Sequence, residues 1–528
     1  MFKIFDKQTV AGSLDFAALI DTLCRNDVAN AFAIKKQRRF SYFAEYFQQC
    51  DAKCVVLEEQ YVDRDYIQDY SRYYSLCFSE YPKFSTRCHF FSKAYKQEDI
   101  ENIVLNGKAG QFAALNESYL GFFVFRPLPI VAFGRTCLNL PSTFKGDKVS
   151  KVDCMKAIGT IDVCFFGIKL KVIGVSFQEQ DLNVSACATS ALWSAFQVTR
   201  NRFGHCACSP SAITSLANPD VSFPHHGLTV GQMIHAISQV GLGTYWASAS
   251  SVEIGFTNAS VKAIVSPYLD FGLPVVLIGR LDQKEVDSSS KVKWKALGFH
   301  AITLCGYRFD PHHKLVPGDM NVYMMSDGID ELIGCDDQVG PYCRLSEAEN
   351  SVGASHRWCT QWGFGASYPT DDVVFNVTNI LVPLYRKIRV SYEDVRKISS
   401  VFIRYVQSAL DDEPDNVIKM AQWDFQLMNC DDFKSIVRDS GDYSDTSKKT
   451  ILLSSTPKYI WTVSVYLTKT PLLTFILDAT DISHGVHVMY AIRRGEIFKD
   501  LILKLQAEPD FGMHPFTVAY NTTLLTYS

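Results

Sequence analysis

Cys187 stands where a polar loop turns into a small, apolar run: Gln180-Asp-Leu-Asn-Val-Ser-Ala-Cys187-Ala-Thr-Ser-Ala-Leu-Trp-Ser-Ala-Phe196. A sulfur in the first turn of a helix feels the positive end of the macrodipole and unpaired backbone N–H groups, and both favour thiolate over thiol. Far along the chain, Gly298-Phe-His300-Ala-Ile-Thr-Leu-Cys-Gly306 alternates as a strand does and presents an imidazole. A cysteine opening a helix and a histidine on a distant strand are the parts of a cysteine hydrolase.

Two further groups complete such a site. Gln180, seven residues upstream, supplies an amide that can donate to an oxyanion together with the Cys187 N–H. The third member, which orients His300, is expected in Asp336-Asp337 after the apolar stretch Leu332 to Cys335. Neighbours in extended chain point to opposite sides, so only one of the two can face the ring. Asp336 is preferred because it sits at the strand end; Asp337 and Asp327 remain competitors. Arg344 is expected to pair with the spare carboxylate, and Trp193 to shield the thiolate or wall the cleft. The His205-Cys206-Ala-Cys208 cluster lacks the spacing of a structural zinc site, and neither metal nor cofactor is expected.

The elements that must position these groups read as α+β. Residues 1 to about 95 look mainly helical (Ala31 to Cys50, Asp63 to Phe78) with a strand at Cys54 to Leu57. Strands follow at 120–125, 161–166 and 170–177. A helix follows Cys187, and another opens on the capping spacing Thr229 to Gln232. Strands are then expected at 274–278, 299–307 and 321–325. Beyond Asp371, Ser391 and Asp394 cap a helix with the stripe Val395, Ile398, Phe402 and Val406, before strands at 459–467 and 472–477. The acidic run Glu58 to Asp65 reads as a solvated helix start rather than a second site. The division expected is an N-terminal region over 1–170, a catalytic domain over 171–370 and a C-terminal accessory domain over 371–528.

Gln180, the Cys187-Ala-Thr-Ser-Ala-Leu-Trp helix, the Phe299-His300-Ala-Ile-Thr-Leu-Cys-Gly-Tyr307 strand and Asp336 resemble papain-like cysteine peptidases. Among these they are most similar to the bacterial group of double-glycine-leader (bacteriocin-processing) peptidases. The likeness covers roughly residues 175 to 347. It implies a papain-like core in which a helix bearing Cys187 packs on an antiparallel sheet bearing His300 and Asp336. It also implies a thiolate–imidazolium pair and acyl transfer from a protein or peptide substrate to water. Two features depart from the family: Gln180 lies seven residues before the cysteine where six is usual, and an extra strand-like segment lies between His300 and Asp336. The same groups also suit other acyl transfers, such as deamidation or transglutamination, and a degenerate fold of this kind would serve as an interaction protein.

Composition narrows the setting. A chain of 528 residues with 47% hydrophobic and 20% charged residues can bury the cores of two to four domains. A net charge of −4 makes no electrostatic case for nucleic acid or an anionic membrane. Sixteen scattered cysteines without a CxxC pair fit reduced thiols in the cytoplasm. The most apolar stretch, Tyr119 to Phe133, is broken by Arg126 and two prolines, so no membrane span is expected. The regions flanking the catalytic segment are expected to engage a regulatory partner or grip substrate.

Overall fold

The computed structural model describes residues 2–9, 12–25, 28–141, 151–181, 183, 186–218, 220, 227–286, 292–313, 322–348, 357–363, 366–411, 420–467, 471–483 and 485–527. It is a mixed α+β structure built on three sheets. It divides into two compact units: residues 1–256, 272–308 and 331–383 form the first, and 257–271, 309–330 and 384–528 the second. The boundaries expected at 170/171 and 370/371 both fall inside strands, Ile168–Phe177 and Thr370–Leu384.

The first unit opens with a seven-stranded sheet. The helices expected before residue 95 are present, at Ala31–Lys35, Arg38–Gln49 and Arg64–Arg72. Strands Phe2–Phe5, Cys54–Tyr61 and Ser85–Phe91 are interleaved with them, however, so the region is sheet as well as helix. Phenylalanines fill its core: Phe47 stacks on Phe90 with ring centroids 3.8 Å apart, and Phe16, Phe43, Phe123 and Phe133 close around them. Such rings bury large area on stiff side chains, which suits a sheet covered by short helices.

The second sheet of this unit carries the histidine strand (Val292–Phe309) and the aspartate strand (Ile329–Asp336). Strand Val275–Val286 pairs antiparallel with the histidine strand on one side and with Thr370–Leu384 on the other, which closes the strand path into a ring. Register slips opposite Leu281/Asp282, leaving Leu297 unopposed, and Gly298 takes φ +135°, a conformation that L side chains rarely adopt. The histidine strand is therefore longer than the 299–307 expected, and His300 sits just past a bulge rather than at a strand start.

One side chain ties the two sheets together. The Tyr342 hydroxyl donates to Leu138 O (2.7 Å) and accepts from Val175 N (3.0 Å). It can enter only because residue 174 is glycine: a Cβ there would lie 2.1 Å from that oxygen. The N-terminal sheet and the ring share a buried core that includes Phe43, Leu138, Cys305, Ile333 and Tyr342. This sharing is why no boundary falls near 170.

The second unit is built on a six-stranded sheet, antiparallel through Gln422–Asn429, Tyr459–Tyr466, Pro471–Asp478 and Val488–Arg493, with parallel pairings at both ends. Ser391 and Asp394 hydrogen-bond reciprocally at the start of the helix Tyr392–Asp411, as expected. Val395, Phe402 and Val406 are its fully buried stripe. Among the described residues no helix is long and apolar enough to cross a membrane.

Candidate active site

The helix Cys187–Phe203 begins at the cysteine itself. Its N-cap is Ala186, which has no side-chain acceptor, so no cap closes off the N–H groups of the first turn. Beyond the first residue the helix is buried for three turns among Ala188, Ala191, Leu192, Ala195 and Phe196. Small residues let it lie close to the ring: Thr303 Oγ1 on the histidine strand donates to Ala191 O at 2.7 Å. That bond sets the helix against the strand carrying His300.

Cys187 is half-buried, and its thiol acts on the His300 ring in the sense that favours the charged imidazole. His300 Nε2 lies 2.9 Å from Asp336 Oδ1. Asp336 ends its strand, and both of its oxygens are engaged: Oδ1 also accepts from Gln338 N (2.9 Å) and Oδ2 from Trp362 Nε1 (2.7 Å). The Trp362 ring stands edge-on to the imidazole with centroids 5.1 Å apart. Burial disfavours a charged ring at His300, but the Asp336 carboxylate outweighs it, and the imidazole is held well above its ordinary range. Burial likewise opposes ionisation of Asp336, yet His300 and the donors on its oxygens pull its carboxyl below the usual range. The two shifts agree on an imidazolium–carboxylate pair.

Among the expected residues, Cys187, His300 and Asp336 come together. Asp337 lies behind them: its Oδ1 is 3.6 Å from His300 Nε2, and burial with the neighbouring Asp336 charge pushes its carboxyl up to about 6. Asp327 belongs to the second unit, where it accepts from Met324 N (3.3 Å). Gln180 is half-buried next to the fully buried Glu179, and its amide makes no hydrogen bond among the described residues.

Three expectations are corrected. Trp193 is neither shield nor cleft wall: it is fully buried, and Nε1 donates to Asp65 Oδ2 at 3.1 Å. The acidic run is only in part a helix start: Glu58 to Tyr61 end the strand Cys54–Tyr61, Asp63 caps Arg64–Arg72, and with Asp63 and Asp65 3% and 2% exposed that start is not solvated. Arg344 pairs with Glu331 (3.5 Å), not with Asp337. His225 and His226 lie outside the described residues.

The N-terminal region contributes what sequence reasoning missed. Arg39 donates to Asp337 O and to Gln338 Oε1 (3.1 Å each) and pairs with Glu179 Oε1 at 2.5 Å. Arg38 donates to Trp362 O (2.6 Å) and covers its ring. Two adjacent arginines thus brace both the Asp336 turn and the Trp362 loop. Their only sequence signal is a basic pair at a helix start, where the macrodipole does not favour one. Arg39→Gln takes from buried Glu179 the cation paired with it, leaving only the more weakly acting Arg126, and urea unfolding should show a loss of about 3 kcal/mol or more, whereas Arg39→Met with Glu179→Gln should recover most of it. A single variant as stable as the parent would show that the pair holds nothing.

Asp69 gives a second measurable consequence. It is 1% exposed and accepts from Ser211 N at 3.1 Å. Burial pushes its carboxyl up to about 7. Unfolded, it titrates near 4. Between these values the folded state holds the proton and the unfolded state has released it, so stability falls as pH rises. The slope is at most about 1.4 kcal/mol per pH unit for this group. Melting curves from pH 4.5 to 6.5 should fall less steeply in Asp69→Asn, and an unchanged slope would contradict the assignment.

Ligand atoms of His300, Asp336 and Asp337 lie within 4.8 Å of one another, a spacing that can hold a metal ion. An ion there must displace the donors that already occupy both Asp336 oxygens, and the donor set fits the imidazolium pair better. His205, Cys206 and Cys208 do not converge: His205 donates from Nδ1 to Cys206 O (2.9 Å) and accepts at Nε2 from Thr199 Oγ1 (2.8 Å). No protein-family model matches this chain, and no curated protein matches it either.

Proposed function

We propose that this chain is a cysteine peptidase of papain-like architecture, with Cys187 as nucleophile, His300 as general base and acid, and Asp336 as orienting carboxylate. The observation that carries the reading is the buried His300 ring, bound at Nε2 by Asp336 and acted on by the thiol of Cys187 at an uncapped helix start. Nδ1 is then the nitrogen that faces sulfur, and the ring, held charged by Asp336, carries the proton that the reaction needs.

In the reaction, Cys187 Sγ adds to the scissile carbonyl carbon, and the first-turn N–H groups receive the oxyanion. His300 passes its proton to the leaving nitrogen as the C–N bond breaks and a thioester remains. His300 next takes a proton from water; the hydroxide adds to the thioester carbonyl, and the C–S bond breaks to release the carboxylic acid. Gln180 is the expected second oxyanion donor. The substrate is a protein or peptide and no cofactor takes part. All sixteen cysteines are free, in keeping with work in the reducing cytoplasm.

Incubating the protein with a cell proteome and reading the products by mass spectrometry tests the reading. New peptide termini that vanish with Cys187→Ala support peptidase action. Mass-shifted side chains would replace it with transfer or deamidation, and no change in either would overturn it.

A further inference from the structure

The last turns of the cysteine helix lie over the sheet formed by Phe133–Asn139, Ile168–Phe177 and Gly159–Phe165, and the two enclose a cleft of about 500 Å3. At 1.5 Å rise per residue, Arg200 in this cleft is about 20 Å along the helix from Cys187, so the cleft is separate from the candidate active site.

Its lining is rich in donors. Arg135 is largely buried; its Nε has no hydrogen-bond partner, and its Nη2 meets Gln197 Oε1 at a long 3.5 Å. The Cys137 thiol and the Asp65 and Asp63 carboxylates act on its charge, and none of the three lines the cleft. Accepting the bond from Arg135 leaves the Gln197 amide nitrogen free to donate. Arg200 and Asn201 are exposed on the next turn, and neither side chain has a hydrogen-bond or ion-pair partner among the described residues. The Asn201 amide sits over Gly159, where a Cβ would lie 2.8 Å from Nδ2. Thr160 adds a hydroxyl, and Asp162 is the acidic group in the lining. Burial lowers the pKa of His205 and so disfavours a charge on its ring. The helix C-terminus carries partial negative charge, so it is the two guanidinium groups, not the dipole, that would attract a ligand. A buried guanidinium nitrogen without an acceptor is costly, and an oxyanion supplies what it lacks.

We propose that this cleft binds a small ligand through a phosphate or carboxylate group held between Arg135 and Arg200, with Asn201 and Gln197 donating to its remaining oxygens. The proposal does not depend on the chemistry of Cys187.

Calorimetric titration of the full chain with sodium phosphate and with citrate, against chloride at matched ionic strength, tests it. Binding of either anion at about 1 mM or tighter is expected, with no saturable heat from chloride. Preference for phosphate assigns a phosphate-bearing ligand, and preference for citrate a carboxylate. Arg200→Gln, exposed and harmless to folding, should weaken binding at least about tenfold, and Arg135→Gln more so where it folds. Cys187→Ala should bind as the parent does. Saturation by neither anion, or affinity unchanged in Arg200→Gln, overturns the proposal.

Discussion

Cys187→Ala should abolish turnover, by about 10^4-fold or more, while leaving the fold intact. Cys187 is the thiol that acts on His300, and alanine is the best helix former at a half-buried first position. The parent protein should be alkylated by iodoacetamide at Cys187 near pH 6, ahead of every other cysteine. Accessibility alone predicts otherwise, because Cys164 and Cys206 are exposed and Cys187 is only half so. The buried thiols do not compete: burial pushes Cys54 up to about 11, Cys335 to about 12 and Cys88 higher than its ordinary range. The charged base His300, on which the Cys187 thiol acts, is what sets Cys187 apart. Peptide mapping of the labelled protein decides the matter; if Cys164 or Cys206 reacts first at pH 6, the thiolate–imidazolium pair does not form.

The second large effect belongs to Asp336→Asn. The amide keeps the shape but not the charge, and its nitrogen cannot accept a proton from His300 Nε2. Without the carboxylate, burial governs the ring and the imidazolium is lost. Turnover should fall by about 10^2- to 10^4-fold, and the alkylation rate of Cys187 at pH 6 should fall with it, its pH profile moving upward. Asp337→Asn is the control that separates the adjacent carboxylates. Its Oδ1 is 3.6 Å from His300 and has no hydrogen-bond partner, so its removal should cost less than about tenfold. Asp327→Asn should leave turnover unchanged. Comparable losses from Asp336→Asn and Asp337→Asn would mean that the pair acts jointly and that the assignment to one is mistaken.

Much of the local architecture is legible in sequence because it is encoded over a few residues. Thr229 with Gln232 and Ser391 with Asp394 begin helices through reciprocal hydrogen bonds across three positions, and both form as read. The alternation from His300 to Leu304 marks a strand since a two-residue period needs no partner to be visible. Of the strand expected at 321–325, only Tyr323–Met324 pairs among the described residues, and a 3-10 turn follows it.

The sequence by itself thus determined that a cysteine opens a helix, that a histidine rides a strand, and that an acidic pair ends another. Only the tertiary structure decided which carboxylate meets the ring, since Asp336 and Asp337 differ by one position and the choice rests on the register of the aspartate strand within a closed ring. It also decided that Trp362, 26 residues beyond Asp336, donates to it, and that Arg38 and Arg39 brace the site from the N-terminal region. Trp193 and Asp65 face each other across 128 positions for the same reason. Helix starts and strand faces follow from backbone hydrogen bonds a few residues apart. Contacts between distant segments follow from which surfaces bury together, a property of the whole chain that no local window contains.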